Sequence, residues 1–336
     1  MTRVAIYGAG AIGGYVGALL HRAGVDVTLI ARGPHLAAMR EHGLRVRTAD
    51  EELVLQPRCT DDPAEAGEQD YVIVTVKAHS APALVEPMQP LLGPDTAVVT
   101  AMNGIPWWYF YGLKGPYEDR RLPLLDPLEV QWRGIGPERV IGCVVWQSAA
   151  LAAPGEIVHL HGDRLALGEP TGERSERVLE LARVLKAAGI RAPVNRDIRN
   201  EIWIKLWGNL SFNPVSALTG ATLEEMALDP ATKAVVAAMM EEGRGVGEAL
   251  GARFGMSVEE RIAVAERVGA HKTSMLQDLE AGRPMEIDAL VAVVTDLGRI
   301  VGTPTPTIDL VQALVVQRAR RAGCYPPAPS AAARPA

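Results

Sequence analysis

Residues 3–32, RVAIYGAGAIGGYVGALLHRAGVDVTLIAR, decide the fold of the first half of the chain. A short apolar strand leads into a glycine-rich turn and an apolar helix, and a second apolar strand follows. The turn reads GAGAIG, a G-x-G-x-x-G motif whose glycines permit a tight turn, close approach of a pyrophosphate and close helix packing. The pyrophosphate of a dinucleotide would lie at the N-terminus of the helix. The residues predicted to contact the dinucleotide are Gly8, Gly10, Ala11, Ile12 and Gly13.

The end of the second strand indicates which dinucleotide is bound. Enzymes that use NAD usually place an acidic residue there, on the ribose hydroxyls, whereas an arginine suits the 2′-phosphate of NADP. The strand ends in Ile30-Ala31-Arg32, and no acidic residue follows before Glu41. Because a guanidinium can bind phosphate through two parallel hydrogen bonds, the sequence predicts NADPH/NADP+ as the cofactor, with Arg32 on its 2′-phosphate.

Two further strands end in polar residues. The stretch DYVIVTVKAHS contains a strand that ends near Lys77, and TAVVTAMNGI contains one that ends near Asn103. Ligands of open parallel sheets bind outside the carboxyl ends of the strands. Arg32, Lys77 and Asn103 are therefore predicted to lie along one ligand-binding edge.

Residues 106–139 interrupt this alternation with aromatic residues, proline and glycine. They could form a lid over the site, an arm that holds a second subunit in a homodimer, or a surface excursion packed on its own aromatics. An antiparallel strand pair then follows, with its turn predicted at Gly162-Asp163. An amphipathic helix and a last strand, IRAPV, complete the first half.

From Asp197 onward the sequence has helical periodicity and few strand signals. Helices are predicted at 197–212, 222–251, 257–281, 285–301 and 307–321. The predicted fold is α/β: an N-terminal Rossmann-type dinucleotide-binding domain (1–195), then an all-helical C-terminal domain (196–322). The Pro- and Ala-rich tail, 323–336, is predicted to be disordered. A cleft between two such domains is a common small-molecule site.

The stretch EIWIKLWGNLSFNP, residues 201–214, carries the most specific pattern in the second half. Lys205, Asn209 and Asn213 recur every four residues, opposite a face of tryptophan and leucine. Asparagine is a weak helix former, and a water-facing stripe more often uses Lys, Glu, Gln or Arg. The stripe is therefore predicted to face a substrate. The other interpretation is a solvent-facing lysine paired with Glu201.

A second stretch, residues 271–288 (HKTSMLQDLEAGRPMEID), carries two more candidates. Ser274 is predicted to lie in the middle of a helix. Glu286 follows Pro284 near a predicted helix start, where an acidic residue is also favoured by capping and by the helix dipole.

The stretches VAIYGAGAIG, IRNEIWIKLWGNLSFNPVSALTG and TSMLQDLEAGRPMEID together resemble the ketopantoate reductase (2-dehydropantoate 2-reductase) family. The resemblance extends to about residue 320, and the last two stretches are more distinctive than the glycine loop. It implies an NADP-dependent oxidoreductase that reduces ketopantoate to pantoate on the way to pantothenate and coenzyme A.

The resemblance also implies roles for the polar residues. Lys205 matches the lysine that acts as general acid, and Glu286 matches a glutamate that binds substrate and supports catalysis. The residues implied to bind substrate are Asn103, Asn209, Asn213 and Ser274, the last through the substrate carboxylate. The residues implied to contact the cofactor are Arg32, Lys77 and Asn103.

Other functions stay open on the sequence. Segment 106–139 is longer than its counterpart in the shortest family members, so the substrate could be a different 2-oxo acid. A hydroxyacid dehydrogenase of the 3-hydroxyacid or opine type would share the architecture. A non-catalytic NADPH-binding sensor would bind the cofactor without turnover.

Composition narrows the classes of partner. The net charge of −6 argues against nucleic acid as a partner. The odd count of three cysteines, without metal-ligand spacing, predicts no metal site and a reducing, cytoplasmic location. No signal peptide is predicted, and no apolar run approaches the roughly 18 residues of a membrane span.

Overall fold

The computed structural model describes residues 1–326, and the chain divides into two compact units. The first unit runs from Met1 to Glu201, and the second begins at Ile202. The first unit is an α/β domain and the described part of the second contains no strand, so the predicted fold class is confirmed. The sequence predicts a boundary near residue 195. The division falls after Glu201, because the helix that begins at Ile198 has its first turn in the first unit.

The first unit is built on one nine-stranded sheet. Its strands are β1 (Arg3–Tyr7), β2 (Asp26–Ile30), β3 (Leu44–Arg47), β4 (Glu52–Leu55), β5 (Arg58–Thr60), β6 (Gln69–Val74), β7 (Leu92–Thr100), β8 (Val140–Ala153) and β9 (Glu156–Gly168). Their spatial order is β4-β3-β9-β8-β7-β6-β1-β2-β5. Neighbours from β5 to β8 are parallel, which gives the 3-2-1-4-5-6 order of a doubly wound dinucleotide fold.

Helices cover this sheet. They are α1 (Ala11–Arg22), α2 (Gly33–His42), α3 (Val85–Met88), α4 (Val130–Gly134) and α5 (Glu176–Ala187). The apolar strands form a near-continuous buried core because both faces of a parallel sheet are covered. Val4 and Ile6 of β1, Leu20 of α1 and Leu181 of α5 are all fully buried in this core.

The turn between β8 and β9 differs from the prediction. The structure turns at Pro154-Gly155, whereas Gly162 and Asp163 lie inside β9. The register between the two strands shifts on both sides of Ser148, so extra residues of β9 are accommodated as bulges. A bulge and a turn both favour glycine, which is why the prediction was wrong. The segment IRAPV makes only two isolated pairings with β9.

Segment 106–139 packs on its own aromatic side chains. The ring of Trp132 meets Trp107 and Tyr111 edge-on, with centroids 6.0 and 5.9 Å apart, and Arg121 lies 3.5 Å above it. Trp108 is fully buried, and its indole N–H donates to Thr100 Oγ1 at 2.9 Å. These contacts support the third of the predicted interpretations. The homodimer stays a prediction.

The second unit is helical throughout its described part. Its helices are α6 (Ile198–Thr219, beginning in the first unit), α7 (Leu223–Leu228), α8 (Pro230–Ala249), α9 (Val258–Val268), α10 (Ser274–Glu280), α11 (Val293–Val301) and α12 (Pro306–Arg321). A π-helical turn, Asp288–Ala292, precedes α11.

Two of the predicted helices are each divided in two. Region 222–251 breaks at Asp229, whose side chain caps α8. Region 257–281 breaks at Gly269, which ends α9 with a φ of 81°. Helix α6 continues through Pro214, beyond its predicted end at 212. The periodicity therefore identified the helical regions but not their interruptions.

The predicted disordered tail, 323–336, begins too early. Cys324 is fully buried, and its carbonyl accepts a hydrogen bond from the Met285 amide at 2.9 Å. Tyr325 donates its hydroxyl to Asp288 at 2.5 Å. Cys324 and Tyr325 are thus packed despite a composition poor in large apolar residues, and 327–336 lie outside the described residues.

No helix within residues 1–326 combines the length and apolar character needed to cross a membrane. The same residues hold no group of three or more His, Cys, Asp or Glu side chains placed to bind a metal ion.

Candidate active site

The glycine loop begins directly after β1 and is fixed to the neighbouring strand. The amides of Gly8 and Ala9 both donate to the Ile30 carbonyl, at 3.0 and 2.9 Å. Gly8 has a φ of 97°, and a Cβ there would collide with the side chain of Val76. Both the backbone conformation and the space therefore require glycine.

The other two motif glycines have different surroundings. A Cβ on Gly13 would collide with Thr75 Oγ1 and lie 2.7 Å from the Gly8 carbonyl, so this glycine permits close packing of α1. A Cβ on Gly10 would meet no protein atom nearer than 3.9 Å. A ligand can therefore approach the backbone at Gly10, whereas Gly8 and Gly13 on either side of it are packed against protein atoms.

The N-terminus of α1 suits an anion. Gly10 caps the helix without a side chain, and the first turn contains no acidic residue. The amides of a first helical turn have no intrahelical partner, and the helix dipole favours negative charge there. The loop and the helix start therefore fit the pyrophosphate of a dinucleotide.

His35 forms a hydrogen bond with the glycine loop. Its Nδ1 accepts a hydrogen bond from the Gly155 amide at 2.9 Å, so the proton is on Nε2, which lies 2.8 Å from the Ala9 carbonyl. Burial lowers the pKa of His35, against the opposing effect of the hydrogen bond to Ala9. The neutral imidazole thereby links the glycine loop to the β8–β9 turn. His35 was not predicted from the sequence, because a single histidine in a helix forms no recognisable pattern.

We expect this link to weaken in acid. In the unfolded chain, His35 takes up a proton as the pH falls through about 6.5, whereas the folded chain resists it. The unfolded state then binds more protons, so the free energy of unfolding falls as the pH drops below about 6.5. The contribution of His35 to the free energy of unfolding reaches its full value above about pH 6.5.

Thermal melting at several pH values tests the expectation. Between about pH 7 and about pH 5, the wild type should lose more of its melting temperature than His35→Gln, since glutamine is not protonated in this range. Parallel pH profiles for the two proteins would rule out the role of His35.

The other cofactor candidates follow the carboxyl ends of parallel strands. Arg32 comes two residues after β2, is exposed, and makes no hydrogen bond or ion pair within residues 1–326. Lys77 and Asn103 are half-buried and follow β6 and β7. Since these strands are parallel, the structure places Arg32, Lys77, Asn103 and the glycine loop at the same edge of the sheet.

A further polar side chain belongs to this unit. Gln147 is only 8% exposed, and neither atom of its amide has a hydrogen-bond partner among the described residues. It lies on β8, which pairs Gly142 with Thr100, the last residue of β7, and then continues past that strand. A buried amide without a partner is costly, so this position fits a polar group of a bound molecule. Gln147 was not predicted from the sequence.

In the second unit, α6 carries the predicted polar line. Lys205 and Asn209 are half-buried and Asn213 is only 4% exposed, so the line does not simply face water. Behind it, Trp207 is buried and its indole N–H donates to the Met240 carbonyl at 2.8 Å. Glu201, the alternative partner for Lys205, is bound by Arg164 at 3.4 Å and by Trp146.

The last two candidates lie at the beginnings of helical segments. Ser274 was wrongly predicted in the middle of a helix: it is the first residue of α10, exposed, and preceded by Thr273, which caps the helix. Glu286 is half-buried and lies two residues before the turn that begins at Asp288. Its carbonyl accepts a hydrogen bond from the Leu290 amide at 3.2 Å.

Comparison with known proteins identifies the family. Residues 4–172 match the family model described as "Ketopantoate reductase PanE/ApbA", and residues 197–319 match its C-terminal counterpart. The chain belongs to the ketopantoate reductase family. Its Rossmann-type domain and helical domain are those of that family, whose members are oxidoreductases that use NADPH.

Individual members of the ketopantoate reductase family match along nearly the full chain. The 2-dehydropantoate 2-reductase of Mesorhizobium japonicum is 54% identical over 324 residues, covering 96% of this chain and 99% of that protein. The enzyme of the same name from Archaeoglobus fulgidus is 31% identical over 310 residues, with 90% and 92% covered. A crystal structure from Ralstonia solanacearum superposes with a TM-score of 0.92 at 44% identity, covering 96% and 99%.

Proposed function

We propose that this protein reduces the keto group of ketopantoate (2-dehydropantoate) to the hydroxyl of pantoate, with NADPH as reductant, in the biosynthesis of pantothenate and coenzyme A. Membership of the ketopantoate reductase family supports the reaction type. The observation that carries the assignment within this chain is the half-buried to buried line of Lys205, Asn209 and Asn213 on α6. Such side chains suit a substrate with carboxylate, carbonyl and hydroxyl groups.

The residues proposed to hold the cofactor are all in the first unit. They are Gly8, Gly10, Ala11, Ile12 and Gly13 at the pyrophosphate, Arg32 at the 2′-phosphate, and Lys77 and Asn103 along the same edge. When bound, NADPH supplies a hydride for the carbonyl carbon of the substrate. The exposed guanidinium of Arg32, which makes no ion pair within the described chain, supports a phosphate-binding role.

The chemistry assigned to the second unit follows from the charge that the reaction creates. Addition of a hydride to a ketone leaves negative charge on the oxygen, which needs a proton and a nearby cation. The ammonium group of Lys205 supplies both. Asn209 and Asn213 orient the substrate, Ser274 binds its carboxylate at the start of α10, and Glu286 supports the bound substrate.

Substrate-dependent oxidation of NADPH tests this proposal. The purified protein is assayed with ketopantoate, beside a panel of other 2-oxo acids and with NADH in place of NADPH. We expect turnover with ketopantoate and NADPH. Turnover on another 2-oxo acid alone would show that ketopantoate is not the substrate. Binding of NADPH without any turnover would favour a non-catalytic NADPH-binding sensor.

Arg32→Ala tests the cofactor assignment. Hydrogen bonds to charged groups contribute about 1.5–3 kcal/mol, so we expect the KM for NADPH to rise about 10- to 100-fold. The KM for NADH, which lacks the 2′-phosphate, should stay nearly unchanged. Arg47→Ala removes another exposed arginine of the same unit and serves as the control. An equal rise for both cofactors would show that Arg32 does not read the 2′-phosphate.

We also propose a cytoplasmic location. None of Cys59, Cys143 and Cys324 is in a disulfide. Cysteines without disulfides suit a reducing compartment.

A further inference from the structure

Arg261 of α9 is a half-buried cation without a counter-charge. Its guanidinium makes no hydrogen bond and no ion pair within residues 1–326. Burial lowers the pKa of Arg261, and no neighbouring carboxylate opposes this effect. Other half-buried arginines of the chain are satisfied: Arg177 is bound by Glu169 at 2.7 Å, and Arg199 donates to three carbonyls. Withdrawing an unpaired charge from water is costly, so a structural role alone does not explain Arg261.

The guanidinium lies against Gly208 of α6. A Cβ at this position would collide with Nη2 of Arg261 and would lie 3.0 Å from its Cζ. Glycine inside a helix is less favourable than alanine. Here it leaves the space that the guanidinium occupies. The guanidinium of Arg261 can approach α6 this closely only because α6 has a glycine, a poor helix former, at position 208.

This place on α6 adjoins the polar line. Gly208 follows Lys205 by three residues, and Cβ positions three apart on a helix are about 5–6 Å from each other. The guanidinium therefore contacts α6 one helical turn from Lys205, and the same helix carries Asn209 and Asn213. All of these residues belong to the second unit.

We propose that Arg261 binds the carboxylate of the 2-oxo acid substrate. The inference rests on the proposed function and adds to it a residue that sets specificity for an acid. A guanidinium binds a carboxylate through two parallel hydrogen bonds, and in a 2-oxo acid the carboxylate is bonded directly to the keto carbon. A cation at each group orients the keto carbon: Lys205 at the keto oxygen, Arg261 at the carboxylate. Ser274 can share the second carboxylate oxygen.

A role for Arg261 in adjusting Lys205 alone explains less. In that role nothing would offset the burial of the guanidinium, because burial is the only effect that acts on the pKa of Arg261. A bound carboxylate offsets it. The site then has its full set of charges only when an anionic substrate is present.

The test compares binding of pantoate, the carboxylate product, in the presence of NADP+. Calorimetric titration is performed with wild type, Arg261→Met, Arg261→Lys and the control Arg267→Met, which alters an exposed arginine of the same helix. Because a charge-assisted hydrogen bond is lost, we expect Arg261→Met to raise the Kd of pantoate about 10- to 100-fold. Arg261→Lys should recover part of this loss, and the Kd of NADP+ and the control should be unchanged.

Steady-state kinetics supply a second readout. We expect Arg261→Met to raise the KM for the 2-oxo acid much more than it lowers kcat, since Lys205 remains in place. An unchanged Kd and KM in a folded Arg261→Met protein would overturn the inference. Equal loss of pantoate and NADP+ binding together with a lower melting temperature would also overturn it, by showing a structural role. Turnover of a 2-oxo acid by wild type tests the proposed function separately.

Discussion

Lys205→Ala should lower kcat by about 10²- to 10⁴-fold, the range typical for loss of a general acid, while the protein stays folded. The proton for the new hydroxyl would then have to come from water, and the oxygen would lose its neighbouring cation. Neither effect alters the glycine loop, so the Kd of NADPH should stay the same. Because Lys205 is half-buried on a helix anchored by Trp207, the shorter side chain should be tolerated structurally.

Two further variants separate the possible reasons for such a loss. Lys205→Arg keeps the charge but cannot readily release a proton, since a guanidinium stays protonated in proteins, so it should recover substrate binding more than kcat. Lys233→Ala removes an exposed lysine of α8 and should behave as wild type. Rates are measured with saturating NADPH, and circular dichroism confirms folding. Near-normal turnover by Lys205→Ala would remove this residue from the mechanism.

The largest effect on stability is expected for Arg199→Met. The Arg199 guanidinium donates to the carbonyls of Tyr109, Tyr111 and Pro170, each at 2.6 Å. It also lies 5.8 Å from the ring of Tyr109 and 6.0 Å from that of Trp108. One side chain thus satisfies three backbone acceptors around the aromatic segment.

Each buried acceptor left without a donor costs about 1–3 kcal/mol, so we expect Arg199→Met to destabilise the first unit by about 3 kcal/mol or more. For a unit of this size, 3 kcal/mol corresponds to a fall in melting temperature of about 10 °C. Calorimetry measures the change, with Arg196→Met, an exposed arginine nearby, as the control. Equal melting temperatures for the two variants would show that the three hydrogen bonds contribute little.

Local sequence patterns were sufficient for the glycine loop and for α6. The glycines of the loop are required by its own backbone and by contacts that recur in this motif. The motif alone therefore predicts the local structure. The line of Lys205, Asn209 and Asn213 follows from helical periodicity, which does not depend on the rest of the chain. The strand-end positions of Lys77 and Asn103 follow from the alternation of strands and helices.

Contacts between distant parts of the chain could not be predicted in this way. Arg261 meets Gly208 only because α9 packs on α6, and the sequence shows an ordinary helical arginine. His35 reaches Gly155 across 120 positions. The β8–β9 turn was misplaced because a bulge and a turn select the same residue type. The chemistry of single positions depends on such contacts more than the fold does.

Contacts near the end of the described chain affect the order in which the protein folds during synthesis. Cys324 and Tyr325 form hydrogen bonds with Met285 and Asp288, which lie one residue before and two residues after Glu286, and Tyr325 is 37 positions beyond Asp288. Burial and the hydrogen bond to Asp288 raise the pKa of Tyr325, so its hydroxyl keeps its proton and remains a donor. Until the ribosome has synthesised Cys324 and Tyr325, the segment around Glu286 therefore lacks these two hydrogen bonds. A nascent chain can fold its dinucleotide unit early, but it gains this support for Glu286 only when translation has passed Tyr325.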